Sequence, residues 1–229
     1  MNKKIIDYYK WLSLQNIELF DKYKIVNPYK QERIIKIVEA FYNKYFDDNN
    51  NNRYLILGAS PARRGTSATG IPFEDEEHIY KLTGESINNF YINKNSSNFL
   101  YDVMENYGGI DKFYSDFFLG FVCPLGIVNI NNKNNEVNVN YYENKKLQNY
   151  LNDFIKKSLE ELIKIGINRE VCYCIGSGEN YQYLLKLNEE NHYFKRIVAL
   201  EHPRYIMQYN KDKTAFYMNK YLNELNNKL

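Results

Sequence analysis

The sequence predicts an α/β fold: a three-layer α/β/α sandwich on a short, mostly parallel four-stranded sheet. Apolar runs of strand length alternate along the chain with longer segments whose apolar residues recur at helical spacing. Such alternation is typical of a parallel sheet covered by helices on both faces. The 229 residues suffice for one well-buried domain, so we expect residues 1–229 to form a single domain onto which the helices of residues 1–50 pack.

The predicted elements of the first half, in order, are helices at residues 3–20 and 29–46, a strand at 54–59, a loop at 60–78, an ambiguous stretch at 79–95, and a helix from Ser97 to Tyr107. Apolar side chains at three- and four-residue intervals support the helices, and a continuous apolar run supports the strand. Ser97 is a favoured helix N-cap, and two glycines at residues 108–109 end the same helix.

The predicted elements of the second half, in order, are a short helix capped by Asp111, a strand at 117–122, an edge strand or extended loop at 137–142, a helix at 145–165, a strand at 171–175, a helix at 179–190, a strand at 196–200, a loop at 201–210 and a helix at 211–226. The helix at 145–165 has the clearest apolar stripe, and Gly166 ends it.

The composition excludes several classes of protein. The net charge of +2 is nearly balanced, so any surface that binds nucleic acid must be local. Cys172 and Cys174 are one residue apart, which suits neither a zinc site nor a redox pair, and with Cys123 they are expected to be buried, reduced thiols. Neither an apolar run of membrane-spanning length nor a signal-peptide pattern is found, so we expect a soluble, cytoplasmic protein.

The expected functional regions are loops that follow predicted strands, at residues 58–75, 123–126 and 201–209. Four of the five prolines lie in these loops and fix their backbone shape. Ligands of open parallel sheets bind beyond the carboxyl ends of the strands, so the three loops should meet at one site. His202 directly follows the last strand, which favours a functional over a structural role. His78 and His192 lack such a setting and are predicted to be surface residues.

Four short motifs in these loops carry a resemblance to a known family. They are GASP at residues 58–61, TGIPF at 69–73, CPL at 123–125 and HPR at 202–204. In this order, at these strand ends, they resemble the uracil-DNA glycosylase superfamily, and most closely the bacterial branch of its single-strand-selective monofunctional (SMUG-like) group. The resemblance runs from about residue 34 onward and implies a four-stranded parallel sheet in an α/β/α sandwich, which agrees with the fold predicted above.

The resemblance implies a monofunctional DNA glycosylase of base excision repair, which hydrolyses the bond between deoxyribose and uracil or another deaminated base. Such an enzyme takes the base out of the stack into a pocket, stabilises the negative charge on the departing base and places a water behind the sugar. No metal or organic cofactor is implied. The implied partner is DNA, without a membrane or protein partner, and the protein is expected to be a monomer.

The matching motifs imply roles for particular residues. His202 stands where the family hydrogen-bonds the departing base, and Phe73 where an aromatic ring stacks on it, although a core phenylalanine would look the same in sequence. The other predicted base-binding positions are Gly58, Ala59, Pro61 and Phe121, of which Gly58 and Pro61 shape the loop that positions water. The predicted DNA-binding positions are Arg63, Arg64, Ser177, Arg204 and Lys211, with Lys213 beside them; Arg204 stands where the family has a loop that enters the duplex.

The chain departs from the family pattern at two positions. Ser60 replaces an asparagine that holds the attacking water; a serine hydroxyl can hold a water, and Asp75 stands near the place where another branch of the superfamily uses an acidic residue. We therefore predict catalytic roles for His202, Asp75 and Ser60, with helix capping or surface exposure as the alternative for Asp75. Phe121 replaces an asparagine that reads the uracil edge, so it either alters selectivity or packs in the core while a backbone amide reads the base.

Three alternatives stay open. The loss of both family asparagines is compatible with a non-catalytic nucleic-acid-binding protein of the same fold. The changed residue Phe121 is compatible with a glycosylase for a larger modified base in foreign DNA. The turn at residues 176–178, which contains Ser177, either holds a DNA phosphate on free N–H groups or is a plain tight turn.

Overall fold

The computed structural model describes residues 3–47, 49–63, 65–84, 86 and 94–227. The described strands are β1 Tyr23–Val26, β2 Arg53–Gly58, β3 Phe117–Phe121, β4 Gly126–Ile130, β5 Glu136–Asn138, β6 Ile167–Ile175 and β7 Arg196–Leu200. The described helices are α1 Lys3–Ser13, α2 Glu32–Tyr45, α3 Thr66–Thr69, α4 Glu76–Thr83, α5 Lys94–Tyr107, α6 Ile110–Asp116, α7 Lys145–Lys164, α8 Glu179–Asn191, α9 Pro203–Tyr209 and α10 Thr214–Asn226, with 3₁₀ turns at Pro28–Lys30 and Lys211–Lys213.

The centre of the fold is a four-stranded parallel sheet in the order β3-β2-β6-β7, with helices packed around it. This confirms the predicted α/β sandwich. Strand β2 lies in the middle, and its buried residues Tyr54 to Leu57 are all at most 6% exposed. The register pairs Gly58 with Phe121 and Ile175 with Leu200, so all four strands end at the same edge of the sheet.

A second, antiparallel sheet was not predicted from the sequence. Its strand order is β1-β4-β5. These strands are three to five residues long, and β5 is exposed along its whole length, so they lack the apolar runs that mark the central strands. Strand β5 is the first part of the segment predicted as an edge strand or extended loop. The second sheet carries this segment to the functional edge of the first.

Several predicted boundaries are wrong. Helix α1 ends at Ser13 instead of residue 20, and the predicted loop at 60–78 contains α3 and the start of α4. Ser97 does not cap α5 but lies inside it, and Gly109, not Asp111, is the N-cap of α6. The predicted loop at 201–210 contains α9, since Pro203 favours the first turn of a helix. The predicted ambiguous stretch at 79–95 includes residues 85 and 87–93, which lie outside the described part of the chain.

The N-terminal helices contribute to the same buried core as the parallel sheet. Tyr9 of α1 and Tyr42 of α2 are joined by a hydrogen bond of 2.5 Å between their hydroxyl groups, and the ring of Tyr42 stacks on Phe118 of β3 at 5.7 Å. The three cysteines are free and buried, as predicted. None of the helices in the described residues has the length and apolar character that crossing a membrane requires.

Candidate functional site

A cavity of about 610 Å³ opens at the carboxyl edge of the parallel sheet. Each central strand contributes to its wall: residues 58–60 at the end of β2, Phe121 at the end of β3, Gly176 after β6 and His202 after β7. Backbone pairing continues past the strand ends, because the N–H groups of Val122 and Cys123 donate to the carbonyls at positions 58 and 59 over 2.8 and 3.0 Å. Of the three predicted loops, those at residues 58–75 and 201–209 line the cavity, whereas residues 123–126 do not, and Phe121 represents β3 in their place.

The imidazole of His202 faces this cavity in a defined protonation state. Its Nδ1 accepts a hydrogen bond from the backbone N–H of Arg204 at 3.0 Å, which caps α9. His202 is exposed at the cavity wall. Desolvation by the protein around its ring, and secondarily the positive charge of Arg204, lowers the pKa of His202 to about 4. The ring is therefore neutral at pH 7, and with Nδ1 as an acceptor its proton lies on Nε2. The neutral Nε2–H group is a hydrogen-bond donor that is available to a ligand.

The residue before His202 is anchored by the last helix. Glu201 accepts a hydrogen bond from Lys220 Nζ at 2.6 Å on its carboxylate and one from the Tyr221 hydroxyl at 2.5 Å on its carbonyl. Both donors belong to α10, and Tyr221 is 1% exposed. Pro203 restricts the backbone on the other side. These contacts fix the place of the imidazole before any ligand binds.

An aromatic wall is formed by Phe73 and Phe121, whose ring centroids are 5.4 Å apart at an angle of 27°. Phe73 has a left-handed backbone conformation, with φ at 62°, which a bulky residue rarely adopts. A Cβ atom at Gly58 would lie 2.9 Å from Phe73 Cζ and 3.0 Å from Phe121 Cδ1. Only glycine at position 58 lets both rings approach the end of β2, where they can stack on a flat ligand.

The loop that carries Phe73 is fastened by the next residue, Glu74. The side chain of Glu74 is 4% exposed and accepts hydrogen bonds from the hydroxyls of Tyr101 and Tyr114, the latter at 2.8 Å. Burial raises the pKa of Glu74 above its usual value, against the opposing effect of these two hydrogen bonds. The strained conformation of Phe73 is thus held in place by α5 and α6.

Asp75 has a different place from the predicted one. Its carboxylate accepts the backbone N–H of His78 at 3.0 Å as the N-cap of α4, and the same oxygen lies 3.0 Å from His78 Nδ1. Asp75 is not among the residues that line the cavity. The structure therefore gives it the helix-capping role that was the alternative in the sequence analysis, and His78 is its partner rather than a free surface residue.

Ser60 does line the cavity, and its hydroxyl donates a hydrogen bond to Asn140 Oδ1 at 3.0 Å. Asn140 follows β5 and lines the same cavity. Sequence reasoning missed Asn140, because it stands in an asparagine-rich stretch and is 80 positions from its partner. The sequence feature that could have indicated Asn140 is its position just after an edge strand.

A family model described as the Uracil DNA glycosylase superfamily matches residues 44–226 of the chain. The chain belongs to the uracil-DNA glycosylase superfamily. Among solved structures, the crystal structure of wild-type SMUG2 from Pedobacter heparinus is similar to it, with 39% sequence identity, a TM-score of 0.89, and coverage of 99% of this chain and 98% of that chain. The chain is thus a SMUG-like member of the superfamily. A search of curated proteins found no match.

The remaining predicted base-binding positions of this glycosylase-like chain are divided between the cavity and the core. Ala59 lines the cavity beside Gly58. Pro61 is buried behind it, and its carbonyl accepts a hydrogen bond from Ser67 at 3.4 Å. Phe121 is 7% exposed and still lines the cavity, so it is part of the site and of the core at once.

Among the described residues predicted to bind DNA, Arg204 alone lines the cavity. Arg204 lines the cavity and its Nε donates to Gln208 at 3.1 Å, while Ser177 and Lys211 are exposed without lining it. The guanidinium of Arg63 lies 3.6 Å from Glu136 of β5. Arg64 lies outside the described residues.

Two exposed tyrosines of α9 also line the cavity and were missed by sequence reasoning. Tyr205 is 48% exposed and Tyr209 is 69% exposed, and their rings are 6.3 Å apart. Their four-residue spacing would have been a usable signal if the segment had been recognised as a helix. In the described part of the chain, His, Cys, Asp and Glu side chains nowhere gather in a group of three or more that could hold a metal ion.

Proposed function

We propose that the chain is a monofunctional DNA glycosylase that hydrolyses the N-glycosidic bond of uracil or another deaminated base in DNA. The observation that carries the proposal is that His202, whose Nδ1 is already occupied by the Arg204 N–H, lines a cavity with an aromatic wall and keeps its Nε2–H for a ligand. A donor of this kind is suited to an acceptor that becomes negative during the reaction, such as a carbonyl oxygen of the departing base. The family of the chain, whose members act on DNA, supports the same assignment.

The proposed reaction uses groups that already line the cavity. The target base leaves the DNA stack and packs against Phe73, since a flat ring is recognised by stacking. His202 donates from Nε2 to the base as the glycosidic bond lengthens and electrons move onto the base. Ser60 holds the water that adds to the sugar, which supplies the oxygen of the new hydroxyl group.

The proposed DNA contacts surround the cavity mouth. Arg204 and Lys211 supply positive charge, and Arg63 does so while paired with Glu136. Arg64, which lies outside the described residues, is proposed from its place in the sequence. Ser177 lies on the turn after β6, where its hydroxyl can donate to a phosphate. The exposed rings of Tyr205 and Tyr209 can stack on bases next to the extruded one. We propose that the protein acts as a monomer in the cytoplasm.

A second candidate, a glycosylase for a larger modified base, is favoured by one observation. Phe121 lines the cavity where the family reads the uracil edge, and a phenyl ring offers no hydrogen bond to that edge. An asparagine at this position would select uracil through hydrogen bonds, and Phe121 cannot provide that selectivity. The cavity volume of about 610 Å³ is compatible with a purine as well as a pyrimidine.

The proposal is tested by incubating the purified protein with oligonucleotides that carry uracil, hypoxanthine, xanthine or a bulky modified base, in single and double strands. Alkaline cleavage then reveals any abasic site. We expect strand cleavage only after alkali, at one or more of the first three bases. Release of the bulky base alone would favour the second candidate. DNA binding without release of any base would favour a non-catalytic member of the fold.

A further inference from the structure

The residues Glu143, Asn140 and Ser60 form a chain of hydrogen bonds that ends in the cavity. Asn140 accepts the Ser60 hydroxyl on Oδ1 at 3.0 Å and donates from Nδ2 to Glu143 Oε1 at 2.9 Å. The backbone N–H of Asn140 donates to the same carboxylate oxygen at 2.8 Å. Glu143 and Asn140 thus hold each other in a four-residue turn, which the hydrogen bond from the Glu143 N–H to the Asn140 carbonyl closes at 3.1 Å.

The orientation of the Asn140 amide follows from its partners. An ionised carboxylate only accepts hydrogen bonds, so the NH₂ group of Asn140 must face Glu143. The carbonyl oxygen of the amide then faces Ser60, which must donate to it. With its hydrogen engaged in this way, the Ser60 oxygen keeps its lone pairs for a donor in the cavity.

We infer that Glu143 and Asn140 position the Ser60 hydroxyl so that its oxygen accepts a hydrogen bond from the water that attacks the sugar; this inference rests on the proposed function. The attacking water must be held by an acceptor that aims its lone pair at the anomeric carbon. Ser60 by itself has a rotating hydroxyl that both donates and accepts. The hydrogen bond to Asn140 fixes the orientation of the Ser60 hydroxyl. Ser60 and Asn140 together thus take the place of the asparagine that the family pattern has at position 60.

The chemical step then balances without a base on the protein. The glycosidic bond breaks and its electrons leave with the base, while His202 donates a hydrogen bond to the developing anion. A lone pair of the water forms the new carbon–oxygen bond, and the water releases one proton to solvent. The departing base takes up one proton from solvent, so Ser60 orients the water and does not keep its proton.

Further hydrogen bonds hold the segment that carries Asn140. Residue Val139, next to Asn140, is tied to β4 by a hydrogen bond of 3.0 Å from its N–H to the Ile127 carbonyl. The same segment makes a second contact with the loop after β2, where Asn138 Oδ1 accepts the backbone N–H of Arg63 at 2.8 Å. Asn138 fastens the loop without lining the cavity, so it is a matched control for Asn140.

The test compares DNA affinity and single-turnover base release for the parent, N140A, S60A, the double variant and N138A. The substrate carries whichever of uracil, hypoxanthine or xanthine the parent releases fastest. We expect N140A to bind DNA as the parent does but to release base roughly 10- to 100-fold more slowly, because a small misplacement of a reacting group is enough for such a loss. The double variant should be no slower than S60A, since both substitutions remove one unit. N138A should keep the parental rate.

A swapped pair separates positioning from folding. N140D alone sets two carboxylates side by side and should be slow, whereas N140D with E143Q restores an acceptor for Ser60 and a donor for position 140 and should recover most of the rate. A parental rate for N140A, an equal loss in N138A, or multiplied losses in the double variant would overturn the inference and leave the proposed function standing. Absence of release by the parent from every substrate would overturn the proposed function itself, and the inference with it.

Discussion

At the scale of single residues, His202 shows how a structural contact prepares a chemical one. The hydrogen bond from the Arg204 N–H occupies Nδ1, and this contact alone assigns the ring proton to Nε2. A protonated ring would lose that contact, and the nearby guanidinium of Arg204 disfavours the added charge. The imidazole is therefore a neutral hydrogen-bond donor at pH 7.

The protonation state of His202 can be read by NMR. Because the pKa is lowered to about 4, the folded ring should stay in the neutral Nε2–H form from pH 7 down to pH 5. In the unfolded protein it should take up a proton near pH 6.5. The unfolded state therefore binds more protons between these two values, and His202 destabilises the fold as the pH falls from about 6.5 towards 4. Ring ¹⁵N shifts that show a folded-state midpoint near pH 6.5, or a proton on Nδ1, would contradict this assignment.

Asp75 offers the opposite case, in which a residue with a catalytic signature has a capping role. An asparagine is as good an N-cap as an aspartate, whereas an alanine loses about 1 kcal/mol of stability. We expect Asp75→Asn to keep both the stability and the rate of base release. Asp75→Ala should lower the free energy of unfolding by about 1 kcal/mol and leave the rate per folded molecule unchanged. Thermal unfolding and single-turnover release measure the two effects, and a large rate loss in Asp75→Asn would return Asp75 to the mechanism.

At the scale of elements, α9 combines charge and aromatic surface beside the cavity. It begins at the residue that follows His202, so its position on the sheet edge is fixed together with the imidazole. Arg204, Tyr205 and Tyr209 lie on it and line the cavity mouth, and Lys211 follows in the 3₁₀ turn. We therefore propose that this helix contacts the DNA on either side of an extruded nucleotide.

The DNA-binding role of this element is tested by salt dependence. Each lost phosphate contact should reduce the slope of log affinity against log salt by roughly 0.7 to 0.9. We expect Arg204→Ala combined with Lys211→Ala to weaken binding and to reduce the slope by one to two contacts. Lys195→Ala is a matched control, because Lys195 lies at the amino end of β7, on the opposite edge of the sheet. An unchanged slope in the double variant would show that DNA binds elsewhere.

At the scale of the whole molecule, the strands of the central sheet could be predicted from the sequence, whereas the second sheet could not. Strand β3, the strands β2 and β7 after their first residue, and the second half of β6 are apolar runs, which a parallel sheet covered on both faces favours. Strands β1 and β5 are short and partly or fully exposed, so their pairing is set by tertiary contacts that no local pattern reports. The helix within residues 201–210 was missed because it has only seven residues, too few for a clear helical pattern.

The residues of the candidate site also divide into those that the sequence predicted and those that it did not. His202, Gly58 and Phe121 stand at or just after strand ends, which the topology of a parallel sheet brings to one edge. The roles of Phe73 and Phe121 were predicted from the resemblance of their motifs to the family pattern. Asn140 reaches Ser60 from the antiparallel sheet, and that sheet was not predicted. The prediction of a catalytic role for Asp75 was wrong because the sequence pattern of an acidic residue before a helix is the same whether the residue caps the helix or faces a ligand.

We propose that a base is released from DNA in this cavity, with His202 as the hydrogen-bond donor to the departing base. The most direct measurement is the single-turnover rate of base release for the parent and for His202→Ala, with DNA affinity and thermal unfolding recorded on the same samples. We expect release by the parent and a loss on the order of 10²- to 10³-fold in the variant, with folding and DNA affinity retained, since the contact strengthens only as charge develops. A folded His202→Ala variant that releases base at the parental rate would contradict it.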